Sequence, residues 1–226
     1  MTVVDITEEQ MNIIQEYLKG ILEINKTVNL TRITDQKEAE LLHIEDSISA
    51  LPEINEAPEG LYGDLGTGGG FPGVPLGIIT GRQTILVDSV KKKLNAIECV
   101  LQDLYIQDIV VNASRIEDLA NEMPKKFSVL TARALSSLSS LLELACPLLR
   151  MNGQLICLKS HVSDEELNSA QSLEKKLGMK LIKRRDFYLS DSETYREILV
   201  FEKVAKPKIK LPRRVGMAQK KPLSEK

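Results

Sequence analysis

Five glycines fall within eight positions of the segment Asp64–Gly73, which reads DLGTGGGFPG. Glycine lowers the stability of a helix or strand that it interrupts, so packing does not explain this density. Glycines are favoured where the backbone turns sharply and a ligand approaches the main chain closely. The segment follows the apolar pair Leu61-Tyr62 and precedes an apolar stretch that can begin a helix. A strand, a glycine loop and a helix in this order are typical of the nucleotide-binding corner of an open α/β sheet.

The spacing of the glycines distinguishes two classes of α/β protein. The dinucleotide fingerprint G-x-G-x-x-G needs a glycine five positions after the first, where this chain has Phe71. Pro72 then lacks the N–H group that a phosphate would need. Gly66, Gly68 and Gly70 instead form G-x-G-x-G, the pattern of methyltransferases that bind S-adenosylmethionine. A structural loop without a ligand is the alternative.

The next predicted strand, residues 83–88, ends in Asp88. It lies about 20 residues after the glycine loop, the offset at which an acid meets the ribose hydroxyls of a nucleotide cofactor. Asp88 could instead cap the helix that begins near Val90, but Ser89 can cap that helix equally well and leave Asp88 free. We therefore predict that Asp88 binds ribose.

Composition excludes several classes of protein. No stretch approaches the ~20 apolar residues of a membrane span, and the acidic segment Met1–Gln10 lacks the features of a secretory signal. Cys99, Cys146 and Cys157 lie far apart without a C-x-x-C pair, and we interpret them as core thiols in a reducing cytoplasm. With two histidines in the chain, we expect no metal centre. We also expect a monomer.

The charge distribution indicates a basic tail on an acidic body. Eight of the 30 basic residues and one of the 32 acidic residues lie in Lys206–Lys226, which gives this segment a charge of +7 and leaves −9 for the rest. Such a tail is typical of a polyanion contact, although a solvated tail without a partner has the same composition. Its prolines make regular structure beyond about residue 205 unfavourable.

The order of the predicted elements indicates the fold. Helices are predicted over about 7–26 and 35–51, from apolar residues at helical spacing. Strands and helices then alternate, which is typical of βαβ units and a parallel sheet with helices on both faces. We predict an α/β, doubly wound, seven-stranded methyltransferase-type (Rossmann-like) sheet with an antiparallel terminal hairpin and an N-terminal helical extension. The predicted strands are 61–65, 83–88, 108–112, 127–131, 153–159, 179–188 and 195–203, and the helices between them are 73–80, 90–104, 115–121, 136–149 and 163–177.

We divide the chain into three parts. They are an N-terminal helical extension over 1–57, packed on the main domain, a cofactor-binding methyltransferase domain over 58–205 and the basic tail over 206–226.

Ligands of a doubly wound sheet lie over the carboxyl ends of its strands. This criterion brings together Asp64, the glycine loop, Asp88, the turn at 112–117, Arg133 and Lys159. Ser114 and Glu117 in that turn can also form a capping box.

The segment after the fourth strand is where methyltransferases of this fold usually place the methyl acceptor. It reads TARAL here, without the Asp/Asn-Pro-Pro-aromatic motif of enzymes that methylate exocyclic amino groups. With the three cysteines interpreted as core thiols, no nucleophile for pyrimidine C5 remains. Purine N7 fits as an acceptor because it has an in-plane lone pair and no proton to lose, so alignment by Arg133 and Lys159 matters more than a general base. We name no general base.

Taken together, these segments resemble one family, the bacterial small-subunit ribosomal RNA methyltransferase G, also called glucose-inhibited division protein B. The resemblance covers about residues 20–223. The matching segments are Asn29–Thr31, His43–Ser47, Asp64–Gly73, Asp88-Ser89, Ser114–Glu117, Ala132–Ala134, Leu158-Lys159, Pro212–Arg214 and Lys221–Leu223.

The resemblance implies transfer of a methyl group from S-adenosylmethionine to N7 of a guanosine in the decoding-region loop of 16S ribosomal RNA. The RNA or the small ribosomal subunit would be the partner. The predicted cofactor-binding residues are Asp64, Gly66, Gly68, Gly70, Phe71, Asp88, Ser89, Ile116, Glu117 and Arg133, with those at 66, 71, 116, 117 and 133 implied by the resemblance. The predicted RNA-binding residues are Arg133, Lys159, Arg213, Arg214, Lys220 and Lys221.

Three other functions stay open at this point. The first is a methyltransferase of the same fold that acts on another RNA, a protein or a small molecule. The second is a nicotinamide oxidoreductase, which Phe71 disfavours. The third is a non-catalytic RNA-binding module, which the intact glycines and Asp88 disfavour.

Overall fold

The computed structural model describes residues 5–28 and 30–224; Asn29, in one of the segments that carry the resemblance, lies outside the described residues. The strands within these ranges are Tyr62–Leu65 (β1), Thr84–Val87 (β2), Ile109–Asn112 (β3), Phe127–Arg133 (β4), Leu149–Lys159 (β5), Met179–Tyr188 (β6) and Tyr195–Lys203 (β7). The α-helices are Glu8–Val28 (α1), Gln36–Ala39 (α2), Asp46–Ile48 (α3), Leu51–Glu56 (α4), Gly73–Thr80 (α5), Lys91–Asp103 (α6), Ile116–Glu122 (α7), Leu138–Ala145 (α8), Asp164–Ser172 (α9), Glu174–Leu177 (α10) and Met217–Lys220 (α11).

All seven strands lie in one sheet of order β3-β2-β1-β4-β5-β7-β6. The first five strands pair in parallel, and β7 runs antiparallel to both β5 and β6. The predicted fold class is confirmed. The strand order reverses direction between β1 and β4, so the carboxyl ends of these two strands open a crevice, which is where ligands bind in sheets of this type.

The sheet is covered on both faces, because its strands alternate between two apolar cores. Tyr62 and Val129 point into one core, which α1, α5 and α6 cover. Leu65 and Leu130 point into the other, which α7 and α8 cover. Strands buried on both faces explain the nearly continuous apolar runs in the sequence.

The N-terminal helix α1 shares its core with the sheet. Its buried residues Ile14, Tyr17, Leu18 and Ile21 recur at helical spacing and belong to the same cluster as Tyr62. The Tyr17 hydroxyl also donates a hydrogen bond to the Gly69 carbonyl, at 2.9 Å. The helix therefore supports the glycine loop from behind.

The region predicted as one helix over 35–51 is interrupted. A π-helical turn, Glu40–Glu45, separates α2 from α3. His43 in this turn and Asp46 directly after it are both buried on the side that faces the end of β4. Single π turns of this kind occur frequently at functional sites.

Other element boundaries also differ from the prediction. Helix α8 ends at Ala145, before Pro147, which has no N–H group to continue it. Strand β5 then begins at Leu149, and the helix predicted over 163–177 divides at Leu173 into α9 and α10. Regular structure in the tail was predicted to be absent, and this is wrong, because the turn α11 forms after Gly216, whose φ is 78°.

Candidate functional site

A cavity of about 370 Å³ lies at the point where the strand order reverses. The glycine loop, the ends of β2 and β4, the turn before α7 and part of the tail form its wall. Eight of the ten predicted cofactor-binding residues line it: Gly66, Gly68, Phe71, Asp88, Ser89, Ile116, Glu117 and Arg133. The fold thus brings together residues that are spread over much of the sequence.

Gly68 shows how the loop makes room for a ligand. Its φ is 60°, and a Cβ built on it would meet only the Gly66 carbonyl oxygen, at 3.9 Å. Gly68 lines the cavity, so that Cβ would occupy cavity space. A glycine is therefore needed here both for the backbone conformation and for the volume of the site.

Asp64 and Gly70 do not line the cavity, so their predicted direct contact with a cofactor is corrected. The Asp64 carboxylate is fully buried; it accepts hydrogen bonds from the Gly73 amide at 3.1 Å and the Thr131 hydroxyl at 2.7 Å. Burial raises the pKa of Asp64. Gly70 has a φ of 90°, and a Cβ there would lie 2.1 Å from the Tyr17 hydroxyl. Both residues hold the loop in place.

Asp88 lies at the edge of the cavity and contacts the loop from the second strand. One carboxylate oxygen accepts from the Gly68 amide at 3.2 Å, and the other accepts from the Val90 amide at 2.9 Å. Helix α6 has no side-chain cap, so neither Asp88 nor Ser89 takes the capping role that the sequence allowed; the contact of Asp88 with the Val90 amide, two residues on, is a turn contact that suits an aspartate. Each oxygen has a further lone pair, so Asp88 can still accept from ribose hydroxyls.

Another part of the cavity wall is formed by the turn before α7 and by the tail. The predicted capping box is not formed: α7 has no side-chain cap, and the Ser114 hydroxyl donates to the Asn112 side chain at 2.5 Å. The Glu117 carboxylate instead accepts from the Gly216 amide at 2.7 Å. Glu117 is thus partly engaged by the tail while it lines the cavity together with Ile116.

Arg133 closes the end of the cavity at the carboxyl end of β4. Its guanidinium donates to the Asp46 carboxylate at 3.0 Å and to the Leu42 carbonyl at 2.8 Å. Asp46 is buried and also accepts from Arg196, at 2.9 Å. Two arginines therefore share one carboxylate, which leaves a net positive charge beside the cavity.

His43 lies between Arg133 and the glycine loop, and sequence reasoning gave it no role. Its ring stacks on the Phe71 ring with centroids 4.7 Å apart and planes inclined by 9°. Its Nε2 lies 3.0 Å from the Thr31 hydroxyl, and its Nδ1 lies 3.4 Å from Arg133. Burial, with the neighbouring Arg133 charge, lowers the pKa of His43 to about 4. The ring is therefore neutral near neutral pH.

A second cavity, of about 350 Å³, adjoins the first beyond Arg133. His43, Arg133 and Ala134 line both cavities, and Lys159 lines the second one only. The Lys159 ammonium pairs with Glu166 at 2.9 Å and donates to the Ser136 carbonyl at 3.2 Å. Lys159 thus lies near Arg133, as the positions of their strands predict. However, it lines the second cavity and not the first.

The tail reaches the cofactor cavity, which sequence reasoning missed. Gly216 and Gln219 line the cavity, and Ala218 is buried, its carbonyl accepting from the Ser140 hydroxyl at 2.7 Å. The contact is recognised in the structure by the burial of Ala218 within an otherwise polar segment. No motif in the sequence predicts it.

The basic residues of the tail are placed differently from one another. Arg213 forms a two-point ion pair with the buried Glu143, with both nitrogen–oxygen distances 2.6 Å, so its predicted role as a phosphate contact is corrected to a structural one. Arg214, Lys220 and Lys221 are exposed, and no ion pair to them is found among residues 5–28 and 30–224.

Two thiols are buried in the core as predicted. Burial raises the pKa of Cys146 to about 11 and that of Cys157 to about 12, so neither forms a thiolate near neutral pH. Cys99 is exposed on α6, which corrects its interpretation as a core thiol. Within the described part of the chain, no three His, Cys, Asp or Glu side chains are grouped to hold a metal ion.

Comparison with known sequences identifies the family. The model of the GidB family, described as rRNA small subunit methyltransferase G, matches residues 10–190. The chain belongs to this family. Ribosomal RNA small subunit methyltransferase G of Lactobacillus johnsonii is 34% identical over 224 residues, which are 97% of this chain and 94% of the relative. The protein of the same name from Lactobacillus delbrueckii subsp. bulgaricus is 36% identical over 92% of this chain and 89% of the relative.

Two solved methyltransferases have a similar fold. A putative sarcosine dimethylglycine methyltransferase from Galdieria sulphuraria superposes with a TM-score of 0.57 at 12% identity, over 76% of this chain and 89% of that one. The 1,6-didemethyltoxoflavin-N1-methyltransferase of Burkholderia thailandensis, solved with S-adenosylhomocysteine, superposes with a TM-score of 0.56 at 12% identity, over 87% of this chain and 90% of that one. At 12% identity, the similarity to these two proteins shows that the chain shares their fold. No described helix of the present chain is long and apolar enough to cross a membrane.

Proposed function

We propose that this protein transfers the methyl group of S-adenosylmethionine to N7 of a guanosine in the decoding-region loop of 16S ribosomal RNA, in the cytoplasm. One observation carries the proposal. In a chain of the rRNA small subunit methyltransferase G family, a cavity at the switch point is lined by the glycine loop, Asp88 and Arg133, and it adjoins a second, cationic cavity. The first would hold the cofactor and the second would receive the base.

The residues present fit S-adenosylmethionine. Gly68 leaves open the space that any side chain would fill, and Asp88 has acceptor capacity for ribose hydroxyls. Ile116 and Phe71 offer apolar surface to the adenine and to the aliphatic part of the ligand. When bound, S-adenosylmethionine supplies a methyl group on a positively charged sulfur.

The surrounding side chains suit an acceptor that needs alignment and no proton transfer. Purine N7 has an in-plane lone pair and loses no proton on methylation. The lowered pKa of His43, about 4, makes its ring a weak proton acceptor, and burial keeps Cys146 and Cys157 protonated. Arg133 and Lys159 would orient the base, since a guanidinium and an ammonium both donate to guanine O6.

The tail would contribute backbone contacts. Arg214, Lys220 and Lys221 are exposed cations of the tail, and sequence-independent binding to RNA depends on such contacts with phosphate. We further propose the division of the chain into the helical extension 1–57, the cofactor-binding domain 58–205 and the tail 206–226.

The test is to incubate the purified protein with labelled S-adenosylmethionine and small subunits from cells that lack the modification. Nucleoside analysis of the RNA should recover the label in 7-methylguanosine of the 16S decoding-region loop. Label in a ribosomal protein, or no label while cofactor binding is intact, would contradict the proposed acceptor.

Two glycines provide a matched pair of variants for this assay. Gly68 and Gly81 have φ values of 60° and 62°, and neither has crowded surroundings at its Cβ position. Both Gly68→Ala and Gly81→Ala therefore carry a similar conformational cost, about 1 kcal/mol. Since only Gly68 lines the cavity, Gly68→Ala alone should weaken cofactor binding.

A further inference from the structure

A groove of about 1010 Å³ lies beside the cofactor cavity, between the second half of α1, the segment 30–36 and the start of α6. We call it the N-terminal groove. Leu30, Thr31 and Lys93 line both the groove and the cofactor cavity, so the two are continuous. A chain-like ligand that reaches into the cavity region can therefore extend along the groove.

The lining of the N-terminal groove is strongly cationic. Lys19, Lys26, Arg32 and Lys93 line it, and Glu23 is the one acidic residue among the described residues of the lining. Lys19 and Lys26 each pair with a glutamate one turn earlier, but both pairs are more than half exposed, so they are weak and can be exchanged for another anion.

The start of α6 extends this positive surface. Residues Lys91, Lys92 and Lys93 occupy its first turn, which has no acidic residue and no side-chain cap. Three cations at a helix N-terminus oppose the helix dipole and are unfavourable there. A bound polyanion would remove this penalty. No ion pair involving Arg32 or these three lysines is found within residues 5–28 and 30–224.

We propose that the N-terminal groove binds the sugar-phosphate backbone of the RNA strand that flanks the methylated nucleotide. The proposal rests on the proposed function, because RNA is taken as the substrate. A phosphodiester backbone matches the groove in charge and in its chain-like shape, and continuity with the cofactor cavity places it next to the reacting nucleotide. An acidic protein segment is the alternative occupant.

The test compares two triple variants. Arg32→Gln/Lys91→Gln/Lys92→Gln removes one exposed cation of the groove lining and two exposed cations of the adjoining first turn of α6, and it leaves Lys93, which lines the cofactor cavity, in place. The control, Lys126→Gln/Lys175→Gln/Lys180→Gln, removes three exposed lysines on other elements, with Lys180 on the opposite edge strand of the sheet. Both variants change net charge equally.

Binding of a fluorescent oligonucleotide with the 16S decoding-loop sequence is measured by anisotropy between 50 and 200 mM salt, roughly the range where phosphate contacts dominate. Each lost contact to a single strand should lower the slope of log K against log salt by about 0.7, which is about fivefold in affinity at 0.1 M salt. The groove variant should lose up to about a hundredfold. Its affinity for S-adenosylmethionine, measured by calorimetry, should equal that of the control.

Equal RNA affinity and equal salt slope for the two variants would overturn the inference. The same result is expected if the groove binds an acidic peptide and not RNA. Photocrosslinking of 4-thiouridine RNA to the unaltered protein gives a second test, with adducts expected in 19–36 and 91–93. Adducts only elsewhere would count against the groove. If the unaltered protein methylates its RNA in either negative case, the proposed function stands and this inference alone fails.

Discussion

Replacing Arg213 by alanine separates a structural role of the tail from a role in RNA binding. The Arg213 guanidinium holds Glu143 with two bonds of 2.6 Å and donates to the Lys221 carbonyl at 2.8 Å. The Glu143 side chain keeps 3% of its exposure and that of Arg213 keeps 24%. Arg213→Ala therefore leaves a buried carboxylate without its partner.

The expected cost follows from this burial. Removing one partner of a buried ion pair costs about 3–5 kcal/mol, and the partial exposure of Arg213 places the loss near 3 kcal/mol. For a chain of 226 residues, 3 kcal/mol corresponds to a fall in Tm of about 6–12 °C. Because Gly216 and Gln219 line the cofactor cavity, loosening the tail should also weaken binding of S-adenosylmethionine.

Thermal unfolding, cofactor calorimetry and RNA anisotropy on the same samples distinguish the roles. Arg214→Ala is the matched control, since Arg214 is exposed and its loss should change stability by no more than about 0.5 kcal/mol. The double variant Arg213→Met/Glu143→Met should recover much of the lost Tm, because it leaves no unpaired charge. A wild-type Tm for Arg213→Ala, with RNA binding reduced, would refute the structural role and return Arg213 to the phosphate contacts.

Three further predictions concern the cofactor loop and its surroundings. Asp88→Ala should weaken S-adenosylmethionine binding by about 1–3 kcal/mol, and Asp88→Asn by less; an unchanged dissociation constant by calorimetry would exclude the ribose contact. Gly70→Ala should lower Tm by several degrees, because its Cβ would lie 2.1 Å from the Tyr17 hydroxyl. Adding Tyr17→Phe to this variant should leave most of the loss in place, since the ring carbon Cζ would still be only 3.0 Å from the Cβ. The unfolded state binds a proton on His43 near pH 6.5 but the folded state only near pH 4, so stability should fall by up to about 3 kcal/mol as pH drops through that window. His43→Gln should flatten this part of the stability–pH curve, and equal slopes for both proteins would contradict the lowered pKa.

Local sequence chemistry predicted the elements that form the site. Glycine spacing identified the loop at Gly66 and Gly68, and the strand that ends in Asp88 followed at the expected offset. Both features depend on residues close together in the chain, where backbone conformation and side-chain length limit the possibilities. The antiparallel strands Met179–Tyr188 and Tyr195–Lys203 have the bounds that their sequence predicts.

Residue roles that depend on distant partners were not predictable. Asp64 follows the motif of a cofactor ligand, yet Thr131 and Gly73 occupy its carboxylate. Arg213 belongs to a basic run that is typical of a phosphate contact, yet it pairs with Glu143, which lies 70 positions earlier. A charge run in sequence does not reveal which of its members faces a buried partner.

The sequence by itself determined the α/β class, the cofactor loop and the family, because these follow from periodicity, glycine conformation and local motifs. Only the tertiary structure decided how the wall of the site is completed. It brings His43 from the π-helical turn onto Phe71, and Gly216 from the tail onto Glu117. Such contacts join segments far apart in the chain, and their geometry is set by the packing of the whole core, which no local pattern encodes.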